Sequence, residues 1–200
     1  MTRADSTPDA VAGTPPAERK GARTRRKILE TARAVFADVG YERATIRGIA
    51  TAAGVDKSSI IKYFGTKQQL FTEAVTWKIP TAEVIERDPA HLAENLARGM
   101  FDAWAADPNG PMAVLLRTSM TSEDAAEILR TRVTTEATDA LSSAVDGPDA
   151  RLRAALFQAM LMGVASQRYL LKMPDLADVD TDDILRILTP ALETLLGRRR

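Results

Sequence analysis

The sequence predicts an all-α protein, and three observations support that fold class. Apolar residues recur every three or four positions through most of the chain beyond residue 24, which is the spacing of one helix face. The segments between them carry the threonine, aspartate, glycine and proline residues that start and stop helices. No segment of the sequence has the apolar–polar alternation that is typical of strands. Together these observations predict about nine or ten helices.

The first element is a helix that follows an unstructured leader. Residues 1–20 are rich in proline, alanine, aspartate and threonine and have no apolar periodicity, so we expect them to be disordered. The first helix is expected over residues 24–40. Thr24 can cap its start, and Gly40 supplies the positive φ that ends a helix.

Two short helices are expected next, on either side of a glycine. Thr45 is expected to cap the second helix of the chain, which stops at Gly54. Asp56 is expected to begin the third helix, which runs to about Phe64.

The fourth helix is expected to begin at Thr66 and to continue until Pro80 interrupts it. The chain beyond Pro80 keeps its helical periodicity, with breaks at clusters of aspartate, glycine and proline. We expect the later helices at residues 89–106, 111–120, 122–145, 149–173 and 181–197.

The composition excludes several classes of chemistry. With 45% hydrophobic residues among 200, the chain can bury a core. It has no cysteine, so disulfides, thiolate metal sites and a cysteine nucleophile are excluded. The single histidine, His91, is a poor metal site by itself, and no glycine-rich phosphate loop is present. We therefore expect no catalytic residue, no metal site and no cofactor.

The distribution of apolar residues also bears on location. No apolar run approaches the roughly 18–20 residues that are needed to cross a bilayer. The N-terminus has no apolar core of the kind that a signal peptide needs. We therefore expect a cytoplasmic protein with no membrane partner.

Charge is unevenly divided along a chain whose net charge is zero. Residues 1–67 contain 13 lysines and arginines against 7 acidic residues, whereas residues 68–200 contain 14 against 20. A basic first third suggests a polyanionic partner such as nucleic acid, although a basic surface can also simply be solvated.

The stretch "IATAAGVDKSSIIKYFGTK", residues 49–67, has the pattern of a helix-turn-helix. Gly54 separates two short helices, and the small side chain of Ala50 allows them to cross closely. Ile60 and Phe64 would face a common core, while the lysine, serine and tyrosine side chains between them would face outwards and could contact DNA. The alternative is an amphipathic helix whose polar face is merely solvated.

A longer stretch resembles a known family. Residues 24–70, "TRRKILETARAVFADVGYERATIRGIATAAGVDKSSIIKYFGTKQQL", resemble the N-terminal domain of TetR-family transcriptional regulators. The matching features are an apolar helix that ends in F-x(3)-G-Y, then Thr45, then I-A-x(3)-G-V, and finally Y-F-x-x-K. The resemblance implies a helix-turn-helix DNA-binding domain at residues 21–67 and a helical effector-binding and dimerisation domain at residues 68–200.

The resemblance also implies which side chains contact DNA. The residues expected at phosphates or at the groove floor are Thr45, Lys62, Tyr63 and Lys67. Two of these lie at helix N-termini, where backbone amides and the helix dipole favour an anion. The residues expected at base edges are Arg47, Lys57, Ser58 and Ser59, and lysine suits the acceptors of guanine. Where many relatives carry a tyrosine this chain has Ile61, so either a phosphate contact is lost or Ile61 touches a thymine methyl.

A homodimer is expected from two helices near the C-terminus. Ala155, Ala159 and Gly163 recur every four residues and would let another helix approach closely. The last helix has a broad apolar stripe that includes Ile184, Leu188 and Leu192. The resemblance implies that both helices form a four-helix interface between subunits, whereas the residues alone allow packing inside one chain.

A small apolar or amphipathic effector is a further candidate partner. The residues that could line its pocket are Met100, Phe101, Trp104, Leu116, Met120 and Met160, and methionine suits a pocket that adapts to its contents. The same pattern fits an ordinary core. Arg117 and Arg168 could pair with an acidic ligand or with acidic side chains of the chain itself.

The sequence therefore favours a ligand-responsive repressor that binds a pseudo-palindromic operator as a homodimer. One alternative is a regulator of the same type that is controlled by a protein partner. Another is an enzyme on a helical scaffold, which turnover without salt-sensitive DNA retention would support. The operator, the regulated genes and the effector are not identified by the sequence.

Overall fold

The computed structural model describes residues 20–77 and 80–197, and within these ranges every regular element is a helix. The all-α prediction is therefore confirmed for the described part of the chain. Residues 1–19 of the predicted leader lie outside the described residues. The first helix already begins at Lys20, four residues before the predicted cap Thr24.

Four helices form the N-terminal part. They are α1 (Lys20–Arg43), α2 (Ile46–Ala53), α3 (Lys57–Phe64) and α4 (Lys67–Ala74). Gly40 has φ 79° and ψ 165°, so it breaks α1 and leaves only one further turn, as its positive φ predicts.

Two of the four predicted N-caps, Thr45 and Thr66, form a side-chain cap. The hydroxyl of Thr45 accepts a hydrogen bond from the Gly48 amide at 3.0 Å. Thr66 and Gln69 form a reciprocal capping box, in which the Thr66 hydroxyl accepts from the Gln69 amide and the Gln69 side chain accepts from the Thr66 amide. Asp56 precedes α3 as predicted, but its side chain makes no capping hydrogen bond.

Helix α4 ends at Ala74, well before the predicted stop at Pro80. The reason is a tertiary contact, because Arg33 of α1 donates a hydrogen bond from Nε to the Ala74 carbonyl oxygen at 2.9 Å. A cation at the last carbonyls of a helix satisfies groups that otherwise lack a partner there.

The C-terminal part contains eight more helices among the described residues. They are α5 (Thr81–Arg87), α6 (Leu92–Ala106), α7 (Pro111–Ser119), α8 (Glu123–Arg132), α9 (Asp139–Ser142), α10 (Ala150–Ala165), α11 (Pro174–Ala177) and α12 (Thr181–Leu195). A 3₁₀ turn, Pro89–His91, precedes α6, and π-helical segments follow α8 (Val133–Thr138) and α10 (Ser166–Leu170). No described helix is both long and apolar enough to span a bilayer.

Two hydrophobic clusters hold these helices together. The first joins α1–α4, where Phe71 packs edge-on against Phe36 at 4.9 Å between ring centres and lies 4.8 Å from Tyr41. Buried residues of α7 and α8 extend this cluster, among them Val114 and Leu115. The second cluster is built from α6, α10 and α12 with their neighbours. Because α4 contributes to the first cluster, it packs with the helices that precede it.

Candidate nucleic-acid interface

Helices α2 and α3 form a helix-turn-helix around Gly54. This glycine adopts the left-handed conformation (φ 62°, ψ 42°), and the next amide, of Val55, donates to the Ala50 carbonyl at 3.0 Å. Ile60 and Phe64 of α3 are buried in the first cluster, as predicted. The buried side of α3 fixes the helix, so its opposite side is free to face a partner.

The outer side of α3 carries hydrogen-bond donors. Lys57, Ser58 and Lys62 are exposed, and Ser59 and Tyr63 are half-buried. Ile61 lies among them with 46% of its surface exposed. On the helix-turn-helix, this side of α3 therefore offers cationic and hydroxyl groups together with one apolar contact.

Thr45 and Arg47 lie at the start of α2 and are both exposed. The Thr45 hydroxyl oxygen accepts a hydrogen bond from the Gly48 amide, so the hydroxyl hydrogen remains available for donation to a partner. The predicted site residues on α2 and α3 therefore lie in two neighbouring elements that share one turn.

Lys67 is placed differently from the other predicted contacts. Its ammonium lies 2.9 Å from the Tyr41 carbonyl oxygen, 3.2 Å from that of Ala44 and 3.5 Å from that of Glu42. It also lies 4.3 Å from the centre of the Tyr41 ring. The pKa of the Tyr41 phenol is raised, chiefly by burial and next by the negative charge of Asp124. In contrast to the predicted phosphate contact, the ammonium of Lys67 is directed into its own chain.

Two basic residues of α1 were missed by the sequence reasoning. A Cβ at Gly21 would lie 3.3 Å from the Tyr63 hydroxyl, so the first turn of α1 runs beside α3. The exposed Arg23 follows in this turn, and the exposed Lys27 places its Nζ about 3.7 Å from a Cβ built on Gly54. The signal in the sequence was the run "RTRRK", which contains no acidic residue.

The predicted dimer residues divide into two groups. Ala155 and Ala159 are exposed on α10, and Gly163 is half-buried with no neighbouring element near its α-carbon. Ile184 and Leu192, in contrast, are buried in the second cluster of their own chain, with Leu188 packed at its edge. These residues of α12 therefore pack inside their own chain, and Ile187 is the large apolar residue that α12 leaves exposed.

The predicted pocket residues are also divided. Phe101, Trp104 and Leu116 are buried in the second cluster, and Met100 packs against it. Met120 is 75% exposed and Met160 is 37% exposed, so neither is enclosed by its own chain, and their place in an effector pocket stays a prediction. Methionine at helical spacing can equally well lie on an outer apolar surface.

Trp104 is one of these buried pocket candidates, and the indole nitrogen of its side chain is buried as well. Its indole Nε1 is buried without a hydrogen-bond partner, and its ring lies 6.0 Å from that of Tyr169. A buried donor of this kind would be stabilised by an acceptor.

The remaining candidates make contacts within the chain. Arg117 donates to the Asn109 side-chain oxygen at 2.9 Å, and Arg168 donates to the Leu176 carbonyl at 2.8 Å. Burial acts to raise the pKa of Asp88, but hydrogen bonds from Asn95 and His91 outweigh it and keep that pKa below its ordinary value. Among the described residues no group of histidine, aspartate and glutamate side chains could hold a metal ion.

Two family models match the chain. Residues 28–74, which contain the helix-turn-helix, match the model described as bacterial regulatory proteins, tetR family. Residues 90–196, which contain the second cluster, match the model described as the tetracyclin repressor-like C-terminal domain.

A curated relative supports the match in the N-terminal part. The HTH-type transcriptional repressor AcnR of Corynebacterium efficiens is 44% identical over 52 residues, which are 26% of this chain. The matched stretch covers 28% of the length of that relative.

Two solved structures show the same fold over nearly the whole chain. A TetR-family regulator from Streptomyces coelicolor A3 is 28% identical with a TM-score of 0.57, over 94% of this chain and 100% of that one. A SmeT–triclosan complex is 23% identical with a TM-score of 0.69, over 88% of this chain and 90% of that one.

Proposed function

The chain belongs to the TetR family of transcriptional regulators, and from this premise we propose that it represses transcription by binding an operator as a homodimer. The observation that carries the proposal is the division of α3 into two sides. One side is buried against α1 and α2, and the other exposes lysine, serine and tyrosine side chains. A helix held in this way fits the major groove of duplex DNA.

Phosphate contacts position the protein on the duplex. Lys62 and Tyr63 lie on the outer side of α3, and Thr45 lies at the N-terminus of α2, where amides and the helix dipole favour an anion. Lys27 of α1 lies beside the Gly54 turn, and with the exposed Arg23 of the same helix it would extend the basic surface. These contacts supply affinity that does not depend on sequence.

Base contacts would come from the first turns of the two helices. Arg47, Lys57, Ser58 and Ser59 are the donors near base edges, and Lys57 is suited to the O6 and N7 acceptors of guanine. Ile61 would pack against a thymine methyl, since it is exposed at the centre of α3.

The homodimer is supported by the exposed surface of α10. Leu152, Leu156 and Met160 are exposed large apolar residues, and Ala155 and Ala159 lie between them. Such a surface on a helix is typical of an interface between subunits. A two-fold dimer presents two copies of α3, so the operator would be a pseudo-palindrome.

We further propose that a small, largely apolar effector with one hydrogen-bond acceptor controls DNA binding. The buried Nε1 of Trp104 would donate to that acceptor, among the aromatic and aliphatic side chains of the second cluster. A solved structure similar to this chain is described as a SmeT–triclosan complex. The effector acts as a switch only if it binds the DNA-incompetent spacing of the two α3 helices more tightly.

DNA binding is tested by footprinting the purified protein on the DNA upstream of its own gene. We expect a protected pseudo-palindrome whose occupancy falls steeply with salt concentration. The matched control is a Lys57→Ala, Ser58→Ala variant, which should keep salt-dependent retention of random DNA and lose the footprint. Retention of DNA that is insensitive to salt would contradict the proposal. The proposed action on an operator would fit a cytoplasmic protein.

A further inference from the structure

The ammonium of Lys67 joins the start of α4 to the connection between α1 and α2. It contacts the carbonyl oxygens of Tyr41, Glu42 and Ala44 at 2.9, 3.5 and 3.2 Å and the face of the Tyr41 ring at 4.3 Å. An ammonium has three N–H donors and no acceptor. Its nearest acceptors are therefore carbonyl oxygens of its own chain, and the ammonium is directed at them.

These carbonyls are exposed to Lys67 because α1 is broken just before them. Gly40, with φ 79°, interrupts the helix, and only the turn Tyr41–Arg43 follows before Thr45 caps α2. The last carbonyls of a helix have no partner along their own helix, and a cation is favourable there.

The position of Lys67 in its own helix supports the same role. It is the first residue of α4, where the helix dipole disfavours a cation. A lysine there needs a compensating contact, which the carbonyl oxygens of the neighbouring segment supply.

We propose that Lys67 is a positioning residue that fixes α2 and α3 relative to α4, and that its side chain is not a phosphate ligand. Tyr41 to Ala44 lead directly into the Thr45 cap, and α2 carries α3 across the Gly54 turn. This inference rests on the proposed function.

The test compares Lys67→Met with Lys62→Met in the full-length protein. Methionine keeps the apolar stem and removes the ammonium in both variants. We expect Lys67→Met to lower the melting temperature by about 4 °C and to speed amide hydrogen exchange at residues 41–53. For binding to a random-sequence duplex, the slope of log affinity against log salt concentration should be the same for Lys67→Met as for the wild type. Lys62→Met should instead lose about one unit of this slope for each bound subunit.

Two outcomes would overturn the inference. One is a loss of slope in Lys67→Met as large as that in Lys62→Met, since the ammonium would then bind phosphate. The other is an unchanged melting temperature together with unchanged hydrogen exchange, since the contact would then fix nothing.

Two further comparisons distinguish failure of this inference from a folding failure and from failure of the proposed function. If Lys67→Met does not fold, Lys67→Gln, whose amide keeps two donors, should retain the wild-type slope with a smaller fall in melting temperature. A phosphate-binding Lys67 would lose slope in Lys67→Gln as well. If the wild type shows no salt-dependent DNA retention, the proposed function fails, while melting and hydrogen exchange still decide whether Lys67 positions α2.

Discussion

Arg132 donates a hydrogen bond to the carbonyl oxygen of Trp77 and lies over its indole ring, with 4.6 Å between the guanidinium carbon and the ring centre. Arg132 also pairs with Glu136 at 2.9 Å, and only 14% of its side chain is exposed. Trp77 follows α4 by three residues, and Arg132 ends α8. The contact therefore ties the segment behind the DNA-binding helices to the C-terminal helices.

Arg132→Met should destabilise the protein by about 2 kcal/mol. The substitution removes charge-assisted hydrogen bonds and leaves the Trp77 carbonyl and the Glu136 carboxylate without this partner. Urea unfolding gives the free energy, and a red shift of the native emission reports exposure of Trp77. A Trp77→Phe background assigns the shift, because the other tryptophan is Trp104.

The control for this prediction lies on the same helix. Arg130 pairs with Glu123 and Glu127 at 2.6 and 2.8 Å, but its side chain is more than half exposed. Exposed ion pairs contribute little, so Arg130→Met should change stability by less than about 0.5 kcal/mol. Equal effects of the two substitutions would mean that the contacts of Arg132 add nothing beyond an ordinary surface charge.

Lys62→Ala should weaken binding to all DNA sequences to the same extent. Lys62 is exposed on the outer side of α3, and loss of a phosphate contact lowers the slope of log affinity against log salt by about one unit for each subunit. Titrating a random-sequence duplex and the footprinted operator over a range of salt measures it. Arg186→Ala, an exposed cation on α12, is the control and should leave the slope unchanged.

Much of the helix-turn-helix could be predicted because its signals are local. The cap at Thr45, the left-handed Gly54 and the capping box at Thr66 each involve residues within three or four positions of one another. The end of α4 at Ala74 could not be predicted in this way, because the residue that caps it, Arg33, is 41 positions away.

Whether the apolar side of a helix is buried or exposed could not be predicted from periodicity either. Helical spacing shows that Met120, Met160 and Leu192 lie on apolar sides of helices, but it does not show what covers them. The structure buries Leu192 and exposes both methionines. The direction of the Lys67 side chain could not be predicted from the sequence either. It depends on the positions of three carbonyl oxygens that follow the break in α1 at Gly40.

Ile61→Ala should reduce the preference for thymine over uracil at one operator position in each half-site. Thymine differs from uracil only by the methyl group that Ile61 would contact. Burying one such group contributes about 0.8 kcal/mol, or roughly a fourfold change in affinity. Operators with single thymine-to-uracil changes measure the effect. The exposed Ile187 of α12 supplies the control, Ile187→Ala, and an Ile61→Ala variant that discriminates as the wild type does would remove Ile61 from the interface.

Gly163→Leu should dissociate the proposed dimer. Within the described residues, no atom of a neighbouring element lies within 4 Å of the position that a Cβ would take at Gly163, so packing against this part of the chain does not explain the glycine. Glycine costs roughly 1 kcal/mol relative to alanine in the middle of a helix. Close approach of a second subunit to α10 would explain the residue, and leucine could not fit there.

Gly99 provides the matched control for this prediction. It is an exposed glycine in the middle of α6, and the space around the position of its Cβ is as open as at Gly163. Gly163→Leu should sediment as a monomer at micromolar concentration, keep its helical circular dichroism and bind the operator far more weakly, since one subunit contacts only one half-site. Gly99→Leu should remain a dimer with wild-type affinity. If Gly163→Leu also remains a dimer, the subunits meet on a surface other than this side of α10, and the glycine has no structural role in assembly.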